Sequence, residues 1–286
     1  MGNEVLSANL QTFIEKERGE PFWAVDSNET RYTDVLSLWT AKASVSAAKE
    51  AGMKFWSNHE ATHMGVTGLE EEDLQADLAH TSELVSRLLR ARDPALSSST
   101  VRCLSVCSGI GREAVGGLIP GGCTTVDLLE AQPHMIEAAK KNIPPSFQGA
   151  AYNENAEDHD FEAPGVKYDV LFVGWCVQHI PDTSLVTFLS RAATAVNHNG
   201  LVIIKDNVSD FADAVYNDEN HFVIRSAAYI NALFYHANEH FERLFVERVP
   251  QWPGNMFPYK ALVWAKKSEV EGWKERLGLI LGRNDL

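Results

Sequence analysis

The sequence predicts an α/β fold: an open, mostly parallel sheet with helices on both faces. Three observations carry the prediction. An apolar run, Cys103–Val106, leads into a small-residue turn, Ser108-Gly109-Ile110-Gly111, and a helical pattern follows. A second run from Thr124 to Leu129 ends in Glu130, about 20 positions past the turn, where such folds hold a ribose hydroxyl pair. From Val101 onward, strand-like and helix-like segments alternate.

The elements follow in order. The first thirty or so residues show no clear apolar period. Val35, Leu36, Leu38 and Trp39 then mark a helix face, and Ala41 to Ala51 is alanine-rich and helix-compatible. Residues 55–68 mix aromatics, histidines and glycines and read as an irregular lid. Leu74, Leu78, Leu84, Val85, Leu88 and Leu89 form an apolar helix stripe, closed by a loop at 93–99. Strands are expected at 101–106, 124–130, 168–174 and 201–205, and helices at 111–118, 132–142 and 183–196. A polar insert at 208–221 precedes a helix at about 222–237. Two late runs, Phe241–Val249 and Tyr259–Lys267, read as a hairpin-like pair joined by Pro250-Gln-Trp-Pro-Gly254. Residues 268–286 read as a C-terminal helical tail. The domain reading is a helical cap within an N-terminal extension over 1–95, the main α/β domain over 96–267, and that tail.

Composition narrows the classes. A chain of 286 residues can bury a substantial core. No apolar run approaches the roughly 18 residues of a membrane span. Met1–Ser7 has neither the basic start nor the apolar stretch of a signal peptide, so a cytoplasmic or nuclear location is expected. The formal net charge of −14 would repel nucleic acid and steer a cationic substrate. Cys103, Cys107, Cys123 and Cys176 form no CxxC pair and are expected as free buried thiols. His59-Glu-Ala-Thr-His63 spells a zinc-protease motif, but Gly65 and Gly68 break the helix it needs. It is read as a chance match, and no metal is expected.

The third strand runs from Tyr168 past Gly174 into Trp175-Cys-Val-Gln-His179, and the fourth ends in Lys205-Asp206-Asn207. Ligands of open parallel sheets bind outside the carboxyl ends of the strands. Trp175, His179, Asp206 and Asn207 therefore converge beside the glycine turn.

Ser105–Arg112, Tyr168–Asp182 and above all Asn199–Asn207 resemble the protein α-N-terminal methyltransferase family, over roughly residues 55–266. The resemblance implies a class I (Rossmann-like) methyltransferase fold, with a seven-stranded sheet and an N-terminal helical cap. It implies S-adenosylmethionine (AdoMet) as cofactor and S-adenosylhomocysteine as product. The implied substrate is the α-amine of a basic Xaa-Pro-Lys protein N-terminus. Charge and composition add the expectation of no nucleic-acid or membrane partner, and a monomer is expected. Cys107, Gly109, Gly111 and Arg112 then form the cofactor loop, with Arg112 toward the methionine carboxylate. Glu130 and Ala131 hold the ribose side, Ala156 and Glu157 flank the adenine, and Gly174 closes the floor. Trp56, Trp175, His179, Asn207 and Glu219 line the substrate channel. The proton acceptor is left open among His179, Asp206 and Asp218, with Asn207 assisting catalysis. Cys107 stands where the family's first loop glycine belongs, Ser105 where an acid is common, and the acidic pair after Asn207 is displaced to Asp218 and Glu219. These departures leave two alternatives: methylation of a small molecule or another protein site, and a cofactor-binding protein without activity.

Overall fold

The computed structural model describes residues 3–42, 45–69, 71–92, 100–162, 165–250, 252 and 256–281. The loop expected at 93–99 lies outside them, as do 282–286 of the tail and most of the 250–254 connection. In chain order the N-terminal elements are α1 (Asn3–Arg18), β1 (Ala24–Asp26), β2 (Arg31–Tyr32) and α2 (Val35–Ala41). Three helices follow: α3 (Val45–Ser57), α4 (His63–Thr67) and α5 (Glu71–Arg92). The alternating region contains β3 (Arg102–Val106), β4 (Thr125–Leu129), α6 (Pro133–Asn142), β5 (Gln148–Tyr152), β6 (Tyr168–Gly174), α7 (Asp182–Ala192) and β7 (Val196–Asn207). The chain ends with β8 (Ala214–Asn217), β9 (Phe222–Arg225), α8 (Ala227–Ala237), β10 (Phe241–Arg248), β11 (Tyr259–Lys266) and α9 (Val270–Leu281).

Among the described residues the main sheet has seven strands in the order β10-β11-β7-β6-β3-β4-β5. The strands from β3 to β7 run parallel, and β11 is antiparallel to both β7 and β10. Strand residues alternate between two cores, as the two-residue period requires. Leu104, Val106, Leu171, Val173, Val202 and Ile204 face one core with α7 and α8. Cys103, Val170, Phe172, Leu201 and Ile203 face the other with α5, α6 and α9. The chain fills β4 and β5 on one side of β3, then crosses to β6 on the other. That reversal opens a crevice at the carboxyl ends of β3 and β6.

The structure corrects several sequence expectations. Residues 3–18 form a helix whose Leu6, Leu10 and Ile14 are buried at four-residue spacing. The polar insert is not irregular: β8 pairs parallel with β1 and antiparallel with β9, in a second, four-stranded sheet ordered β2-β1-β8-β9. The helix expected from 222 begins at Ala227, because Ser226 caps it by accepting the amide of Tyr229 at 3.1 Å. The four cysteines are not free thiols. Cys103 pairs with Cys123 and Cys107 with Cys176, with Cα separations of 6.1 and 6.0 Å. Strand adjacency brings them together, which linear spacing does not reveal.

Helix α5 docks unusually close to the segment after β3. A turn of π-helix, Ala114–Leu118, carries Gly116 and Gly117, and Gly121 follows. A Cβ at these three glycines would lie 2.6 Å from Leu78, 2.6 Å from Thr81 and 2.8 Å from Val85. Those three side chains form one face of α5 at helical spacing. We predict that Gly117→Ala costs roughly 1–3 kcal/mol through overpacking, read as a lower urea midpoint at unchanged slope.

Candidate active site

A cavity of about 170 Å³ opens at the crevice. Its floor is built from the ends of β3, β4 and β6, and Met53 and Trp56 of α3 close one wall with Val66 of α4.

The glycine turn is left-handed where it leaves β3: φ is 51° at Cys107 and 52° at Gly109. The amide of Gly109 donates to Glu130 Oε2 at 2.9 Å, and the amide of Gln132 donates to Glu130 Oε1 at 2.8 Å. One carboxylate thus joins the turns after β3 and β4. Burial pushes the Glu130 pKa up, against these amide donors. Each carboxylate oxygen keeps a second acceptor site, as a ribose diol requires. Beside it, Ser108 Oγ is buried without a partner. The donor set and the apolar side chains of Leu129, Met135 and Ile180 in the lining fit an adenosyl cofactor. Ala131, Ala156, Glu157 and Gly174 also line the cavity, and Glu157 is ion-paired with Lys49 of α3. Gly111 does not line it: a Cβ there would sit 3.3 Å from Ala139, so this glycine serves the packing of α6.

Arg112 lines the cavity but is not free to serve a carboxylate alone. Its guanidinium donates to Asp77 of α5 at 2.5 Å and to Glu113 at 3.0 Å. Asp77 also takes Lys205, which donates to Thr81 Oγ1 at 2.5 Å. Burial pushes Asp77 up, but Lys205 and Arg112 outweigh it and hold its pKa below the usual range. Burial, then Asp77, pushes Glu113 up. Asp77 escaped the sequence reading because nothing local ties α5 to β7.

The turn after β6 is also left-handed, with φ 51° at Trp175, a residue that pays for that conformation. It is held from two sides. Asp206, completely buried, accepts the amides of Cys176 at 2.9 Å, Val177 at 2.8 Å and Asn207 at 2.8 Å. Burial raises its pKa to about 6 despite these donors. Arg225 of β9 donates to the carbonyls of Val177 at 2.7 Å and Ile180 at 2.8 Å. Asp206 therefore lies behind the turn, outside the cavity lining, and not in the position expected of a proton acceptor. Arg225 was missed because β9 was read as helix.

Trp175 and His179 both line the cavity. His179 packs among aromatic rings: Trp56 edge-on at 5.2 Å, Phe55 stacked at 5.7 Å and Phe222 edge-on at 5.7 Å. Burial, then the neighbouring His59, pushes the His179 pKa down to about 4. His179 Nδ1, Trp175 Nε1 and Asn207 Oδ1 are buried without partners. Asn207 ends β7 opposite Tyr259 and lies just outside the lining residues. Asp218 is further out: Lys42 at 2.7 Å, Ser27 at 2.9 Å and Asn28 at 3.2 Å occupy its carboxylate. Glu219 is exposed in the β8–β9 turn. Both were expected at the channel, but their strand pairing draws them into the second sheet. His59 of the HExxH match contacts the Phe55 carbonyl at 2.7 Å, and among the described residues no three ligating side chains cluster.

A seven-stranded sheet in this order, with a glycine turn after its central strand and an acid ending the next, defines the class I AdoMet-dependent methyltransferases. Solved structures of that fold match: a SAM-dependent methyltransferase from Leishmania major superposes with TM-score 0.72 at 24% identity, covering 86% of this chain and 96% of that one. A 1,6-didemethyltoxoflavin-N1-methyltransferase from Burkholderia thailandensis gives 0.56 at 19% identity over 78% and 91%. Within the class, the chain belongs to the AdoMet-dependent proline di-methyltransferase family, whose profile matches residues 44–264. It is 26% identical to alpha N-terminal protein methyltransferase 1 of Arabidopsis thaliana, over 77% of this chain and 83% of that protein. It is 25% identical to N-terminal Xaa-Pro-Lys N-methyltransferase 1-B of Xenopus laevis, over 71% and 88%. Against the Oryza sativa proteins named alpha N-terminal protein methyltransferase 1 the identity is 28%, and the match spans 60% of their length.

Two outcomes follow from the site. His179 stays neutral between pH 5.5 and 8, so its ring resonances in NMR do not titrate there. Its folded pKa is depressed from 6.5 to about 4, so the stability it contributes is complete above 6.5 and is lost as pH falls through about 4. The stability gap between the protein and His179→Phe therefore narrows on acidification across that window. Asp206→Ala strips the Cys176 and Val177 amides of their acceptor, at about 1–3 kcal/mol for each unsatisfied group. Faster hydrogen exchange at those two amides reports the loss.

Proposed function

We propose that this chain methylates the α-amino group of protein N-termini of the Xaa-Pro-Lys type. The observation that carries the reading is a neutral histidine, His179, packed against Trp56 and sharing one cavity with Trp175 and the Glu130 and Gly109 cradle. The names of the Arabidopsis and Xenopus relatives support it.

The residues divide the work. Glu130, the Gly109 backbone and the walls at Ala131 and Ala156 would hold the nucleoside, and Arg112, shared with Asp77, would meet the amino-acid end. AdoMet when bound supplies a methyl group on a sulfonium, which an amine lone pair can attack only if the amine is unprotonated. The apolar walls favour the uncharged form of an amine entering between them. His179 accepts a hydrogen bond from that amine without adding charge. The faces of Trp56 and Trp175 tolerate the cation that methylation creates. Asn207, one residue beyond the clamped carboxylate of Asp206, ends β7 just outside the lining with its buried Oδ1 unpartnered, and would reach the first peptide N–H only from that rim. The net charge of −14 draws a basic N-terminus inward. Because Lys42 occupies Asp218, recognition of the substrate lysine falls to other acids, and a substrate lacking that lysine is the second reading.

A tritiated-methyl assay tests this. Transfer to a Xaa-Pro-Lys peptide is expected, with Trp175→Phe lowering kcat/KM at least tenfold at nearly unchanged S-adenosylhomocysteine affinity. Absence of transfer to every such peptide, by protein that binds S-adenosylhomocysteine, would overturn it.

A further inference from the structure

The two disulfides differ in surroundings. Cys103 and Cys123 are 0% and 1% exposed and lie in the core beneath α5. Cys107 and Cys176 both line the cavity, and Cys107 is half-buried there. The second bond ties together the two turns that shape the site. Cys107 opens the glycine turn after β3, and Cys176 follows Trp175 after β6, on strands paired through Val106 and Val173. Each turn is anchored on its far side: Ser108 donates to the Leu129 carbonyl at 3.1 Å, and Cys176 donates to Asp206 at 2.9 Å. Cys107 also holds φ 51°, a backbone conformation that favours glycine.

We infer that Cys107–Cys176 is a reversible dithiol–disulfide site that sets the cofactor affinity of the cavity; this rests on the cavity being the AdoMet site. With the bond closed, Cys107 is covalently kept in its left-handed conformation, the Ser108 amide faces the Leu129 carbonyl and the Gly109 amide faces the Glu130 carboxylate. With the bond open, Cys107 is released toward the right-handed or extended backbone that a non-glycine residue prefers, and that amide edge turns away. A small dithiol reaches the bond through the cavity mouth. Its first thiolate attacks one sulfur and forms a mixed disulfide, the other cysteine leaves as a thiolate, and the second reagent thiolate closes the reagent ring. The protein gains two electrons and two protons as the reagent dithiol is oxidised to its disulfide. Glutathione disulfide reverses the change, with each cysteine sulfur losing one electron. Linkage is reciprocal: if closure strengthens binding tenfold, saturating cofactor makes the bond harder to reduce by about 30 mV.

Calorimetry with S-adenosylhomocysteine on oxidised and mildly reduced protein tests this, with peptide mapping of both forms. Reduction should weaken binding about tenfold in the natural protein and equally in Cys103→Ser/Cys123→Ser. Cys107→Ser/Cys176→Ser should bind at the weaker level in both buffers. Equal affinity in the two states, with mapping showing the bond closed in one and open in the other, overturns the inference. So does a map of the oxidised protein without the Cys107–Cys176 peptide, or a reductant effect that persists in Cys107→Ser/Cys176→Ser. Failure of every form to bind S-adenosylhomocysteine would overturn this inference and the cofactor reading together.

Discussion

A parallel strand that leaves its sheet through a left-handed residue turns backbone N–H groups inward, and each must find an acceptor. The site depends on how this chain meets that demand twice. After β3, Glu130 accepts the amide of Gly109, and it also takes that of Gln132 in the turn after β4. After β6, Asp206 accepts those of Cys176 and Val177. Both carboxylates are buried, and burial raises both pKa values against their donors. The two acids nevertheless differ in use. Glu130 faces the cavity with acceptor capacity to spare, whereas Asp206 is enclosed and spends itself on the turn. The same chemistry therefore makes one residue a ligand candidate and the other a positioning residue.

The cap is fixed to this frame by charge as well as by shape. Asp77 of α5 grips Arg112, which follows the β3 turn, and Lys205, which lies near the end of β7. A buried pair contributes little net stability, because desolvating its ions cancels much of their attraction. Breaking one is costly, so the effect here is register. Asp77 can meet both cations only when α5 sits against Gly116, Gly117 and Gly121, and the absent Cβ atoms make that approach possible. The carbonyl of Lys205 in turn accepts the Trp175 amide at 3.0 Å. Cap, glycine turn and tryptophan turn thus share one set of contacts. The second sheet adds Arg225, which grips the same tryptophan–histidine turn through the Val177 and Ile180 carbonyls.

What the sequence made legible has a physical pattern. The central strands were readable because short, mostly apolar runs such as Val170–Val173 and Leu201–Ile204 must be buried on both faces. The glycine turn, Glu130, Trp175 and His179 were readable because they fall within five residues of the ends of these strands, where topology dictates the rim. The second sheet was not, because strands of two to four residues carry no measurable period. Arg112 was expected at the cavity, which it lines, but its embrace by Asp77, a contact across 35 positions, was not legible. Asp206 was recognised as belonging to the site, yet its role depends on which way a strand-end side chain points. Asp218 and Glu219 were misplaced for the related reason that an insert's strand pairing is decided far away, at β1.

The depressed His179 pKa alters how proton loss must be partitioned. An α-amine titrates near 7.7–8.0, so at pH 7 selecting its neutral form costs about 1 kcal/mol. Passing its proton to a histidine near 4 would be uphill by about four pK units, or roughly 5 kcal/mol. The cheaper route is loss of the proton to water before the amine leaves solvent, followed by entry of the neutral species between Trp56 and Trp175. The acidic surface and the apolar interior then act in sequence and not in opposition. On the proposed function, the net charge of −14 would raise the local concentration of a cationic N-terminus, and the aromatic walls would admit its uncharged minority. The same logic governs a second methyl transfer. The methylated ammonium holds a proton that neither His179 nor the enclosed Asp206 readily accepts, so the cavity mouth must readmit water between rounds. On the proposed function, repeated methylation of one N-terminus would therefore be set by how freely the wall of Met53, Trp56 and Val66 lets water return.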